Sequence, residues 1–206
     1  MRIAIIGTGN VGSALGTRWT QRGHEVVFGS RDPSSPKVQK LLAATGAGAT
    51  SIRDAVADAR VVVLATPWDA AQSSIAAAGD LTGKILLDAT NPLQNMKLAL
   101  GLTTSGAERV ASWAVGAAVV KAFNSTGAGN MLNPDYAGQK PTMFICGDDA
   151  AAKQVVSGLA EEIGFEAVDA GALTLARYLE PLAGLWITLA YAQGLGPNSA
   201  FKLLRR

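Results

Sequence analysis

Six residues near the start, Gly7-Thr8-Gly9-Asn10-Val11-Gly12, form a G-x-G-x-x-G run. The run follows the apolar segment Arg2–Ile6, which reads as a strand, and opens the helical segment Val11–Arg22. That context suits the binding of a diphosphate. Gly7 permits a tight turn, Gly9 lets backbone approach the anion, and Gly12 lets helix and strand pack closely. Thr8, Asn10 and Val11 complete the loop, and the unpaired amides and positive end of the helix hold the charge.

A second strand, Glu25–Gly29, ends in Ser30-Arg31-Asp32. NAD-binding chains place a carboxylate at such a strand end to accept hydrogen bonds from the ribose hydroxyls. Here Ser30 takes that position and Arg31 follows it, so a ribose phosphate would meet a hydroxyl and a guanidinium. The expected cofactor is NADP, with Lys37, Ser34 and Ser35 completing the phosphate pocket. A charge-assisted hydrogen bond contributes about 1.5–3 kcal/mol, a preference of roughly ten- to a hundredfold. Asp32 is expected to point away or to orient Arg31.

Two further strand ends should face the same crevice, because ligands of open α/β sheets bind at the carboxyl ends of strands. They are Ala65-Thr66-Pro67-Trp68 and Asp88-Ala89-Thr90-Asn91-Pro92. Ala65, Thr66, Pro67, Ala89 and Asn91 are the expected contacts to ribose and nicotinamide. Thr-Pro and Asn-Pro also end strands and set turns, so the roles of Trp68 and Asp88 stay open. Lys121 closes another apolar run and is expected to aim toward the crevice. Asn124, just beyond it, either donates to a ring carbonyl or caps a turn.

These residues must be positioned by an alternating pattern of short apolar runs and helical segments. Arg2–Ile6, Glu25–Gly29, Val61–Ala65, Ile85–Asp88 and Ala118–Phe123 read as strands without strict alternation, the look of strands covered on both faces. Helices are expected over Val11–Arg22, Pro36–Ala44, Trp68–Ala78 and Ser105–Val115. Thr142–Cys146 and Glu166–Val168, flanking a helix at Ala150–Ile163, are expected to extend one edge of the sheet. From Leu173 to about Gln193 the pattern is helical, and Pro181 should kink or restart that helix. The fold class is α/β, a doubly wound (Rossmann), mainly parallel sheet with a short helical C-terminal extension. Residues 1–170 are expected to form the NADP-binding domain, and residues 171–206 a helical tail.

The chain has 206 residues, a net charge of +2 and one cysteine. So small a charge gives no field for nucleic acid or an anionic membrane surface, and neither partner is expected. With one histidine and one cysteine, no metal site is expected and no intrachain disulfide can form. Cys146 reads as a buried inert thiol and His24 as a surface turn residue far from the cofactor. No stretch suits a signal peptide or a membrane span, and a cytoplasmic protein is expected. The apolar tail points to a homodimer.

The Gly7–Gly12 turn and Ser30-Arg31 combine with Val120-Lys121-Ala122-Phe123-Asn124-Ser125-Thr126-Gly127, Met131, Asn133-Pro134-Asp135-Tyr136 and the tail Ala176–Ile187. Together they resemble the NADP oxidoreductases that work with the deazaflavin coenzyme F420, over nearly the whole chain. The resemblance implies hydride transfer between NADP(H) and a deazaflavin or a flavin such as FMN or FAD. It also implies that Lys121, Ala122, Phe123, Asn124, Ser125, Thr126 and Leu182 line the pocket for the second ring, and that the tail, residues 171–206, completes that second-substrate pocket. A cytoplasmic domain of membrane ferric reductases shares the motifs.

No residue is assigned as catalytic. Carbonyl reduction calls for a positioned acid, and neither Lys121 nor Tyr178 sits in a recognised pattern for one. A flavin-type ring spreads incoming charge over its own heteroatoms and needs mainly positioning. The rival readings are a reductase of another acceptor, such as a ferric chelate, a quinone or an imine, and a non-catalytic NADP-binding module. Too few residues follow the Rossmann portion for the long helical domain of imine and hydroxyacid reductases, and a sensor needs no second pocket.

Overall fold

The computed structural model describes residues 1–94 and 97–206. Its strands are β1 (Arg2–Ile6), β2 (Glu25–Gly29), β3 (Gly48–Thr50), β4 (Val61–Leu64), β5 (Ile85–Asp88), β6 (Leu93–Gln94), β7 (Lys97–Leu98), β8 (Ala118–Lys121), β9 (Thr142–Gly147) and β10 (Glu166–Gly171). The helices are α1 (Asn10–Gln21), α2 (Pro36–Thr45), α3 (Ile52–Ala57), α4 (Trp68–Ala78), α5 (Gly106–Trp113), α6 (Ala128–Leu132), α7 (Ala150–Glu162) and α8 (Ala176–Ile187). Among the described residues the main sheet has eight strands in the order β10-β9-β8-β5-β4-β1-β2-β3, and β6 pairs with β7 as a small hairpin.

The six strands from β3 to β8 run parallel, in the doubly wound order. β9 lies antiparallel to β8, and β10 runs parallel to β9, so the expected edge extension reverses direction. Alternation along β1 explains the unbroken apolar runs. Ile3 and Ile5 enter one core with Leu15, Trp19 and Phe28, whereas Ala4 and Ile6 enter the other with Ile52, Val62 and Leu64. With both faces covered, a polar residue on either face of a central strand would be buried.

The structure departs from the sequence reading at one place and adds to it at two others. β3 and α3 lie in a stretch that carried no assignment; Gly48-Ala49-Thr50 is too short for periodicity to register, and a side-chain cap from Ser51 to the Asp54 amide starts the six-residue helix after it. Pro181 does not restart its helix, since α8 runs through it and turns π-helical only at Thr188–Ala192. The last residues are also tied to the sheet, because the Thr142 amide donates to Phe201 O at 2.9 Å and the Leu203 amide to Thr142 Oγ1 at 2.9 Å. No helix of the described residues is long and apolar enough to cross a membrane.

Candidate functional site

The glycine turn joins β1 to α1. Gly7 has φ +122°, and a Cβ there would lie 2.3 Å from Ala65 O. A Cβ on Gly12 would lie 2.1 Å from Gly7 O, so both positions exclude a side chain for reasons internal to the fold. Gly9 differs: a Cβ there meets no protein atom within 4 Å. Gly9 caps α1 without a side-chain hydrogen bond, and the first turn holds no carboxylate. The amides of Asn10, Val11 and Gly12 precede the first intrahelical bond, from the Ser13 amide to Gly9 O at 2.9 Å. The loop therefore presents unpaired donors and the positive end of a helix to open space.

At the end of β2, Ser30 Oγ accepts the Asp32 amide at 3.2 Å. Asp32 Oδ1 accepts the Ser34 amide at 3.2 Å and its hydroxyl at 2.8 Å. The carboxylate is thus bonded to Ser34. Arg31 and Lys37 are both exposed, and among the described residues Arg31 makes no ion pair. Removing the guanidinium in Arg31→Ala should shrink the preference for NADPH over NADH by about tenfold or more. Dissociation constants for both dinucleotides check this, and an unchanged ratio would remove Arg31 from the phosphate site.

A cleft of about 280 Å³ runs on from the turn, lined by Val11, Ala65, Thr66, Pro67, Trp68, Ala89, Thr90, Asn91 and Leu93. A second cleft of about 670 Å³ shares Val11 and Asn91 with it and adds Asn10, Asn124, Thr126, the Gly127–Gly129 turn, Trp186 and Tyr191. Two buried polar atoms beside these clefts, Thr66 Oγ1 and Asn124 Oδ1, have no hydrogen-bond partner among the described residues. Unpaired amides, an open Gly9 and orphaned polar atoms in one crevice fit a dinucleotide. Among the described residues, no carboxylate, ammonium, guanidinium or imidazole lines the larger cleft, and Tyr191 is its sole titratable side chain.

The Lys121–Thr126 segment divides in two. Asn124 and Thr126 reach the larger cleft, but Lys121, Ala122, Phe123 and Ser125 are buried behind it. Lys121, expected to aim into the crevice, is 0% exposed. Its ammonium donates to Asp88 Oδ2 at 2.9 Å and to Thr90 O at 2.6 Å, and it pairs with Glu180 Oε1 at 3.0 Å. The cause is register: Lys121 pairs with Asp88 across β5 and β8, where a covered sheet leaves an ammonium no route to water. Burial alone would pull the Lys121 pKa down, but the Asp88 and Glu180 carboxylates outweigh it and hold the ammonium above its ordinary value.

Phe123 adopts φ +60°, a left-handed backbone, with its ring edge-to-face against Trp19 at 5.8 Å and Phe165 at 5.9 Å. This turn swings Asn124 across to Asn91. Asn124 Nδ2 donates to Leu179 O at 2.9 Å and to Asn91 Oδ1 at 3.2 Å, and Asn91 Nδ2 donates to Asn124 O at 2.9 Å. Both amide hydrogens of Asn124 are therefore used within the protein, and the unpaired group is its acceptor oxygen rather than a donor for a ring carbonyl. Leu182 is half-buried and does not line the cleft, whose helical wall comes from Trp186 and Ile187.

Three structural partners carried no sequence signal strong enough to assign. Glu180 accepts the Gly106 amide at 2.8 Å and the Ala107 amide at 3.0 Å, capping α5 from α8. A lone carboxylate on the apolar stretch Leu179–Trp186 was the available clue, since a buried charge needs partners. Asn130 Nδ2 donates to Thr126 Oγ1 at 2.9 Å and Ser199 O at 2.8 Å, and Trp186 Nε1 donates to Ser199 O at 2.7 Å, so the last residues brace the cleft wall. His24 contacts Glu162 at 2.6 Å, and Cys146 is buried with its thiol pushed up to about 12 by desolvation.

A doubly wound sheet with an open glycine turn and Ser30-Arg31 at the next strand end defines a dinucleotide-binding Rossmann protein. A family model described as NADP oxidoreductase, coenzyme F420-dependent, matches residues 2–92. The F420-dependent NADP reductase of Methanothermobacter thermautotrophicus is 33% identical over 210 residues, covering 92% of this chain and 89% of that protein. The chain belongs to this family and is an NADP-dependent oxidoreductase. A crystal structure from Arthrobacter sp. FB24, of a protein assigned as an F420-dependent NADP reductase, matches with a TM-score of 0.92 and 35% identity over 100% of both chains. Metalloreductase STEAP3 of Rattus norvegicus is 34% identical over 181 residues, 88% of this chain. The chain spans 36% of the STEAP3 length.

Proposed function

We propose that the protein passes a hydride between NADP(H) and a deazaflavin of the coenzyme F420 type, or a flavin such as FMN or FAD, held in the larger cleft. The observation that carries this reading is that cleft: it adjoins the dinucleotide crevice through Val11 and Asn91 and has an aromatic wall of Trp186 and Tyr191. The two rings stand edge-to-face, with centroids 6.0 Å apart.

NADPH, when bound, supplies a hydride from its nicotinamide ring. The amides of Asn10, Val11 and Gly12 hold the diphosphate, and Ser30, Arg31 and Lys37 hold the ribose phosphate. Thr8, Ala65, Thr66, Pro67, Ala89 and Asn91 position the ribose and nicotinamide. Asn124 and Thr126 meet the acceptor, and Trp186 shields it from water. With no acid or base but the Tyr191 phenol lining the cleft among the described residues, the protein's contribution is placement: donor and acceptor carbons must lie about 3–3.5 Å apart. That requirement suits a ring which disperses charge itself and does not suit a ketone, which needs a proton donor. In this reading residues 1–170 carry the dinucleotide and residues 171–206 complete the acceptor pocket. The exposed Leu185, Tyr191 and Leu195 of that tail support a homodimer.

The identity with a protein named metalloreductase favours a metal chelate as the second reading. Stopped-flow oxidation of NADPH with deazaflavin, FMN, FAD and a ferric chelate separates the two. The expected result is fastest turnover with the deazaflavin. Reduction of the chelate or of an imine with every flavin-type ring inert would overturn the primary reading.

A further inference from the structure

We propose that Lys121 is a positioning residue that couples the Asp88–Asn91 loop to helix α8, so that filling the dinucleotide crevice firms the wall of the acceptor cleft. The inference rests on the two-cleft reading above.

Lys121 touches neither cleft. Its three donors meet three acceptors, Asp88 Oδ2, Thr90 O and Glu180 Oε1, and no donor is left over. Both oxygens of Asp88 are engaged as well, since its Oδ1 accepts the Thr90 amide at 2.9 Å and the Thr90 hydroxyl at 2.7 Å. Glu180 Oε1 also accepts the Ala107 amide, and its Oε2 accepts the Gly106 amide. Asp88, Lys121 and Glu180 are each 0% exposed, so no water can replace a bond that is lost. Two carboxylates share one ammonium, and the N-terminal amides of α5 supply the remaining positive potential.

A fully satisfied buried network has no slack. Thr90 and Asn91 line the dinucleotide crevice, and Glu180 sits on the helix that carries Trp186 and Ile187 into the acceptor cleft. A shift of the loop must therefore break a buried bond or move α8. A second tie runs parallel to the first, from Asn91 through Asn124 Nδ2 to Leu179 O, the residue before Glu180. Both routes converge on one turn of one helix, and a coupling of this kind changes the response of the second site by about fivefold or more.

Hydrogen–deuterium exchange of the intact chain tests the coupling without an acceptor. Saturating NADPH should slow exchange of the amides over residues 182–192 by about fivefold or more. The fragment 2′,5′-ADP fills the phosphate end but leaves Thr90 and Asn91 untouched, and it should not slow them. Glu180→Gln keeps the shape and removes the charge. It should lose most of the NADPH response, the Asn124 tie carrying the remainder, while its NADPH dissociation constant stays within about twofold. The proposal is overturned if wild-type protein shows no NADPH response in that segment, if 2′,5′-ADP reproduces the response, or if Glu180→Gln retains it in full. Should Glu180→Gln fail to fold, the two wild-type arms decide. Failure of the acceptor reading is a different result: a persisting α8 response with no flavin-type ring reduced.

Discussion

Gly9→Val should leave the protein folded and weaken NADPH binding by about a hundredfold or more. Most glycine substitutions in such a turn confound binding with folding, and Gly7 and Gly12 show why, since a Cβ at either would strike backbone within 2.3 Å. Gly9 separates the two effects. Its φ of −83° and ψ of −171° are extended backbone open to any residue, and its Cβ direction meets no protein atom within 4 Å. The cost to the fold is confined to a poorer helix cap, about 1 kcal/mol. The valine methyls would enter the space in which a diphosphate meets the amides of Asn10, Val11 and Gly12. Loss of several charge-assisted bonds at about 1.5–3 kcal/mol each accounts for the size of the effect. Titration calorimetry beside a thermal melt checks it. Retained affinity would mean that the diphosphate lies elsewhere, and loss of the fold would contradict the open space at Gly9.

Lys121→Met should lower stability by about 3–5 kcal/mol, the usual cost of removing one partner from a buried ion network. Methionine matches the aliphatic stem but leaves Asp88 Oδ2, Thr90 O and one Glu180 contact without a donor, in a site 0% exposed. For a chain of this length the melting temperature should fall by about 6–20 °C. The pKa of Lys121 is raised in the folded state, so its stabilisation is complete below the ordinary value of 10.5 and is lost only as pH climbs through the folded value. The Lys121 ammonium should therefore add no pH dependence of its own to the wild-type stability from pH 6 to pH 9. Thermal unfolding followed by circular dichroism reads both quantities. A shift under about 2 °C would mean that the network carries little of the stability.

The dinucleotide half was legible because its physics is local. A glycine turn between a strand and a helix, and the residue type at the next strand end, are set within a few residues of each other. The parallel core was legible for the same reason, since strands covered on both faces must read as unbroken apolar runs. The acceptor half depends on contacts across long stretches of chain. Whether Lys121 faced a cleft or a carboxylate turned on Asp88, 33 residues away, and on Glu180. Sequence resemblance grouped Lys121 to Thr126 as one lining. The left-handed turn at Phe123 divides that segment, keeping Lys121 and Phe123 in the interior and sending Asn124 to the cleft. Tyr191 and Ser199 entered no sequence motif, because the tail reaches the cleft by packing under Asn130 and Trp186 rather than by periodicity.

Calorimetric titration of the unmodified protein with NADPH and with NADH, at one fixed salt concentration, is the most direct measurement. NADPH should bind once per chain and at least about tenfold more tightly than NADH, as one guanidinium–phosphate contact predicts. Equal affinities, or no heat from either dinucleotide, would contradict an anion site built from the α1 amides and Arg31.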